Sequence, residues 1–108
     1  MNITVLGSGG WGTAAALLLN HNGHAVTLWS HDAKKAEILA KSRENPLLPA
    51  VRIPERISVT NDLSCLKTAE LVVFAAPSFA LRSIAKQAVP YIVPDTILVS
   101  LTKGIEEG

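Results

Sequence analysis

The sequence predicts an α/β domain built on one parallel, doubly wound sheet with strand order 3-2-1-4-5. Three observations carry this. Short apolar runs alternate with stretches of helical spacing along all 108 residues. The connections between most of them are short, which suits right-handed crossovers between parallel strands. The run Leu71-Val72-Val73-Phe74 has no polar alternation, as a parallel strand buried on both faces requires. Hydrophobic residues make up 48% of the chain and charged residues 18%, which fits a packed domain and excludes disorder. A chain of this length forms one domain, expected to span residues 1–108.

The elements follow in order. Asn2 to Leu6 is the first strand. A helix runs from about Trp11 to Asn22, and its Ala14, Ala15 and Ala16 allow close approach to a sheet. Asn22-Gly23 is its stop signal. Ala25 to Trp29 is the second strand. The next helix spans Ala33 to Arg43 with Asp32 as its cap. Pro46, Pro49 and Pro54 make the stretch from Asn45 to Pro54 an irregular connection. Ile57 to Thr60 is a short third strand, and Asp62 caps a short helix ending near Leu66. Glu70 to Ala75 is the fourth strand. The helix from Ser78 to Ala88 places Leu81, Ile84, Ala85 and Ala88 on one face. Ile97 to Leu101 is the fifth strand.

Between the first strand and first helix lies Gly7-Ser8-Gly9-Gly10-Trp11-Gly12. The pattern GxGxxG is weak alone. Placed between a strand and a helix, it is the fingerprint of a turn that holds a dinucleotide pyrophosphate, and the fold is therefore Rossmann-like. Gly7 permits the tight turn, Gly9 lets phosphates approach the backbone, and Gly12 lets the helix pack closely. The helix N-terminus offers N–H groups and partial positive charge to an anion. Strand order puts the ligand crevice at the carboxyl ends of strands 1 and 4. The glycine turn, Ser30-His31, Ala76-Pro77-Ser78 and Thr102-Lys103 should then line one edge.

Other chemistries are excluded or unsupported. Ten Lys/Arg against nine Asp/Glu give a net charge of +1 without a basic patch, so no nucleic-acid partner is expected. Cys65 is the only cysteine, which leaves no disulfide framework and no cysteine metal site; it reads as a small buried hydrophobe. No metal-ligand cluster or nucleophile–base arrangement is visible. The N-terminus lacks the basic start and cleavage site of a signal peptide, and no apolar run spans a bilayer. A cytoplasmic protein with no membrane partner is the expectation.

The end of strand 2 bears on the cofactor. An Asp or Glu usually stands there to bind the ribose 2′-hydroxyl of NAD. Here the tip is Ser30-His31-Asp32, with Asp32 assigned to helix capping. A serine and an imidazole accept a 2′-phosphate that an acid would repel, so the cofactor is NADP or NAD with NADP favoured. His31 reads alternatively as a solvated loop histidine. Trp11 either packs beneath the helix or forms a wall beside the cofactor. Phe79 either shields the nicotinamide side or packs. His21 and His24 flank a helix end without an evident role. Lys103 follows strand 5, where a lysine meets an anionic ligand, although a solvated lysine is the simpler reading on position alone.

With these residues in view, the chain resembles glycerol-3-phosphate dehydrogenases of the soluble, nicotinamide-dependent kind. The opening Gly7-Ser8-Gly9-Gly10-Trp11-Gly12-Thr13-Ala14 is similar to that family's, including the aromatic before the last glycine of the motif. So are Gly23 to Trp29, Asn45 with Leu48-Pro49 and Ile53-Pro54, Pro77-Ser78, and Thr102-Lys103-Gly104-Ile105-Glu106. The resemblance covers the whole chain. It departs in a proline-rich connection one residue short, in the missing aromatic before Leu48-Pro49, in Ala50 for a common glycine, and in Phe79 for a polar residue.

The resemblance implies interconversion of glycerone phosphate and sn-glycerol 3-phosphate, with a hydride passed between cofactor and C2. It implies cofactor contacts from Gly10, Trp11 and His31, and a Lys103 that reaches cofactor and substrate. Members of the family carry a helical second domain with the catalytic lysine and most groups for the substrate phosphate. Residues 1–108 then look like the N-terminal part of such an enzyme, inactive alone, with no catalytic residue of their own. The full-length enzyme is expected to be a homodimer. A ketopantoate or 6-phosphogluconate type of dehydrogenase, or a stand-alone dinucleotide-binding module, are the alternatives; the Lys103-Gly104-Ile105-Glu106 exit argues against the first of these.

Overall fold

The computed structural model describes residues 1–46, 51–76 and 78–101, with only the backbone of Ser78 and Phe79. Its elements are β1 (Asn2–Leu6), α1 (Gly10–His21), β2 (Ala25–Trp29), α2 (Ala33–Ser42), β3 (Ser58–Thr60), a 3-10 helix (Leu63–Thr68), β4 (Leu71–Phe74), α3 (Ser78–Ala88), a 3-10 turn (Val89–Tyr91) and β5 (Ile97–Ser100). The five strands form one parallel sheet in the order β3-β2-β1-β4-β5, as the alternation predicts.

Each face of the sheet has its own core. Ile3, Val5, Val26 and Leu28 pack with Ala16 of α1, Leu39 of α2 and Ile57 on one face. Leu6, Trp29, Val72 and Phe74 pack with Leu66 and with Ile84 and Ala88 of α3 on the other. Alternate residues of β4, Val73 on the first face and Val72 and Phe74 on the second, enter opposite cores, which explains its continuous apolar run. Burying each such Leu or Ile contributes about 1.5–3 kcal/mol. β5 is different. Ile97 is 51% exposed, Leu98 55% and Val99 38%.

Several boundaries differ from the sequence expectation, each for a local reason. α1 starts at Gly10, inside the glycine motif, and ends at His21. Asn22 caps it and Gly23 follows at φ +93°, the expected stop. α2 ends at Ser42 because Arg43 adopts φ +58°. The Arg43 guanidinium turns back to donate to the carbonyls of Ala40, Pro54 and Ile57, and this holds the left-handed turn. Ile57 stays out of β3 because its N–H donates to the Pro54 carbonyl. The short helix after Asp62 is a 3-10 helix that reaches Thr68. Asp32 and Asp62 both cap as predicted, accepting from Lys34 and Lys35 N–H and from Ser64 N–H. The Ser64 bonds hold the Asp62 carboxyl below its ordinary range.

Of the irregular connection, Glu44 and Arg52 form an isolated antiparallel bridge. Leu48, Pro49, Ala50, Pro77 and Thr102 to Glu106 lie outside the described residues, as do the side chains of Ser78 and Phe79.

Candidate functional site

Strand register decides which residues share an edge. Thr60, Trp29, Leu6, Phe74 and Ser100 stand side by side across the sheet. The residues after them, Asn61, Ser30, Gly7, Ala75 and Leu101, therefore form one carboxyl edge. Backbone bonds tie it together: Gly7 N–H to Trp29 O at 2.9 Å, Ser30 N–H to Thr60 O at 2.9 Å, and Ala75 N–H to Leu6 O at 2.9 Å. This brings together the glycine turn, the β2 tip and the Ala75-Ala76 exit. Of the remaining predicted contributors, Pro77, Thr102 and Lys103 are outside the described residues, as is the side chain of Ser78.

The glycines of the turn face different surroundings. Gly7 has φ +129°, and a Cβ there would sit 2.8 Å from the Ala75 carbonyl oxygen. A Cβ on Gly12 would sit 1.9 Å from the Gly7 carbonyl oxygen and 3.3 Å from the Ala75 side chain. Both positions are closed by the fold. A Cβ on Gly9 would meet no heavy atom within 4 Å. That open space lies at the N-cap of α1, which carries no side-chain cap and no acidic residue in its first turn. The first described intrahelical bond is Thr13 N–H to Gly9 O at 3.0 Å. The N-terminal charge of the helix is thus available to an anion. Gly10 opens the helix, and Trp11 is 61% exposed, so it does not pack beneath the helix.

At the β2 tip, Ser30 is buried, and its hydroxyl donates to the Asp32 carbonyl at 3.4 Å. Its own carbonyl accepts from Asn61 Nδ2 at 2.8 Å. His31 is exposed, with its ring 6.4 Å from that of the buried Trp29. The Asp32 carboxylate caps α2 through Oδ1, and neither Ser30 nor His31 is itself an acid.

Sequence reasoning missed how the turn is supported. Asn45 Nδ2 donates to the Ser8 carbonyl and to Thr13 Oγ1, both at 2.8 Å. Thr13 Oγ1 donates to the same Ser8 carbonyl at 3.3 Å. Ser8, Thr13 and Asn45 are all buried. A lone Asn in a proline-rich stretch gives no sign of such a contact; its spacing of 37 residues from Ser8 is visible only in the fold.

Away from the edge, Cys65 is half-buried against the second core, and burial pushes its thiol pKa up, as suits an inert small hydrophobe. Among the described residues, no group of His, Cys, Asp and Glu could hold a metal ion, and no helix is long and apolar enough to cross a membrane.

The comparisons with known proteins agree with this geometry. The model of the NAD-dependent glycerol-3-phosphate dehydrogenase N-terminus matches residues 2–108. The glycerol-3-phosphate dehydrogenase [NAD(P)+] of Syntrophotalea carbinolica is 46% identical over 98% of this chain. The crystal structure of glycerol-3-phosphate dehydrogenase from Coxiella burnetii superposes with a TM-score of 0.88 at 31% identity, over 99% of this chain and 34% of that one. A ketopantoate reductase from Ralstonia eutropha reaches a TM-score of 0.80 over 96% of this chain and 35% of that one, but at 22% identity, which shows the fold alone. The chain spans 32% of the length of the Syntrophotalea relative. On the family model and the whole-chain identity, this chain belongs to the NAD-dependent glycerol-3-phosphate dehydrogenase N-terminal family.

Proposed function

We propose that residues 1–108 are the dinucleotide-binding domain of a two-domain oxidoreductase that interconverts sn-glycerol 3-phosphate and glycerone phosphate. The observation that carries this reading is the open space at Gly9 beside an uncapped helix N-terminus, with Gly7 and Gly12 closed on either side. A pyrophosphate needs both features: room to reach the backbone and unpaired positive charge. The relatives' name, with its [NAD(P)+], supports a nicotinamide dinucleotide of either kind.

The cofactor, when bound, supplies the hydride exchanged with substrate C2. The residues of this chain bind and orient. Gly7, Ser8 and Gly12 shape the turn, and Gly9 and Gly10 present backbone N–H groups to the phosphates. The exposed Trp11 indole walls the crevice. Ser30 and His31 form the ribose end, with His31 as the accessible side chain there. The family resemblance adds cofactor contacts from Pro77 and Lys103, and a contact from Lys103 to the substrate as well. Proton transfer and most of the substrate contacts belong to residues beyond this domain, so residues 1–108 alone do not turn over. The same reading includes a homodimer of the complete enzyme, a cytoplasmic location and a place in glycerophospholipid metabolism.

Calorimetric titration of the purified chain with NADPH and NADH tests the proposal. Binding of both is expected, with NADPH at least as tight, because Ser30 and His31 stand where NAD-preferring folds carry an acid that would repel a 2′-phosphate. Absence of binding to either overturns the dinucleotide reading, and a strong preference for NADH overturns the assignment of NADP.

A further inference from the structure

We propose that Asn45 is a positioning residue for the phosphate-binding turn: by pinning the Ser8 carbonyl it aims the Gly9 N–H at the ligand. The inference rests on the dinucleotide reading and deepens it.

The Ser8 carbonyl and the Gly9 N–H belong to one peptide unit. None of the described peptide bonds is cis. In a trans unit the C=O and N–H point in opposite directions. The Ser8 carbonyl accepts from Asn45 Nδ2 at 2.8 Å and from Thr13 Oγ1 at 3.3 Å. The three residues are at most 6% exposed, so that carbonyl is directed into the interior. The Gly9 N–H is therefore directed away from the interior, on the turn whose outer rim is open at Gly9.

The pin answers a specific weakness. Ligand access requires glycine at position 9, and glycine is also the residue whose backbone rotates most freely. Rotation about the bonds flanking the Ser8–Gly9 peptide would exchange its carbonyl for its N–H. A carbonyl facing the ligand would repel a phosphate. The bonds from Asn45 and Thr13 resist that exchange, because a flip would break both hydrogen bonds to the Ser8 carbonyl.

Asn45 is itself held from both sides. Arg43, two residues before it, has φ +58° and donates to the carbonyls of Ala40, Pro54 and Ile57. The Arg43 carbonyl accepts from Ile53 N–H at 2.7 Å, and Glu44 bridges to Arg52. The connection after α2 thus works as a brace, with the Asn45 amide as its contact with the turn.

The test uses the 108-residue chain and compares NADPH with adenosine, which carries no phosphate. In Asn45→Ala, NADPH affinity should fall about tenfold, the equivalent of one charge-assisted hydrogen bond. Adenosine affinity should change less than about twofold, and the Gly9 amide resonance should shift or broaden in the free protein. A folded Asn45→Ala with unchanged NADPH affinity overturns the proposal, as does an equal loss for both ligands, which marks a merely structural role. Should Asn45→Ala fail to fold, Thr13→Val takes its place, with a loss of about threefold confined to NADPH. If the wild type binds no dinucleotide, the functional reading fails separately. The Gly9 amide still decides: a resonance unaltered in the variants overturns the pin.

Discussion

On the inner wall of the glycine turn, a Cβ at Gly12 would lie 1.9 Å from the Gly7 carbonyl oxygen; on its outer rim, a Cβ at Gly9 would meet no heavy atom within 4 Å. The two positions belong to one motif and answer to different demands. Gly12 is glycine because α1 packs against the turn. Gly9 is glycine although, among the described residues, nothing crowds the place a Cβ would take. Packing accounts for the first; the dinucleotide proposed above would account for the second. The comparison separates fold from function within six residues of sequence, Gly7 to Gly12.

The largest expected effect is on the inner wall. Gly12→Ala puts a carbon against backbone, which has no rotamer to yield. It should cost about 3 kcal/mol or more and lower Tm by roughly 15 °C or more. Thermal or urea unfolding measures it, and an unchanged Tm would erase the distinction between the two glycines.

A similar contrast separates the centre of the sheet from its margin. Leu28 on β2 is fully buried, whereas Leu98 on β5 is 55% exposed, although both strands read as apolar runs. Leu28→Ala should cost about 2–5 kcal/mol. Leu98→Ala should cost less than about 1 kcal/mol, as at other exposed sites. Urea unfolding of the pair checks the contrast; equal losses would mean that β5 is as packed in solution as the central strands.

The topology was legible because it depends on local signals. Apolar runs, the Asn22-Gly23 stop and the Asp32 and Asp62 caps lie within a few residues of what they determine. The glycine motif likewise announces its turn. What escaped the sequence depends on distant partners. Arg43 leaves α2 because carbonyls at Pro54 and Ile57 capture its guanidinium. Asn45 meets Ser8 across 37 positions. Ser30 reads as a ribose contact, yet its hydroxyl turns to the Asp32 carbonyl, and His31 is the exposed group. The exposure of β5 was equally hidden, since an apolar run states a preference for burial without naming what provides it.

Gly9→Val tests the central claim most directly. Gly9 has φ −70° and ψ −173°, an extended conformation that valine adopts readily, and an added Cβ meets no heavy atom of the described residues within 4 Å. Tm of the purified variant should therefore stay within roughly 2 °C of the wild type. NADPH titrated by calorimetry should bind at least about a hundredfold more weakly, because the valine occupies the space the pyrophosphate needs. A folded Gly9→Val chain that binds NADPH as tightly as the wild type would contradict the account.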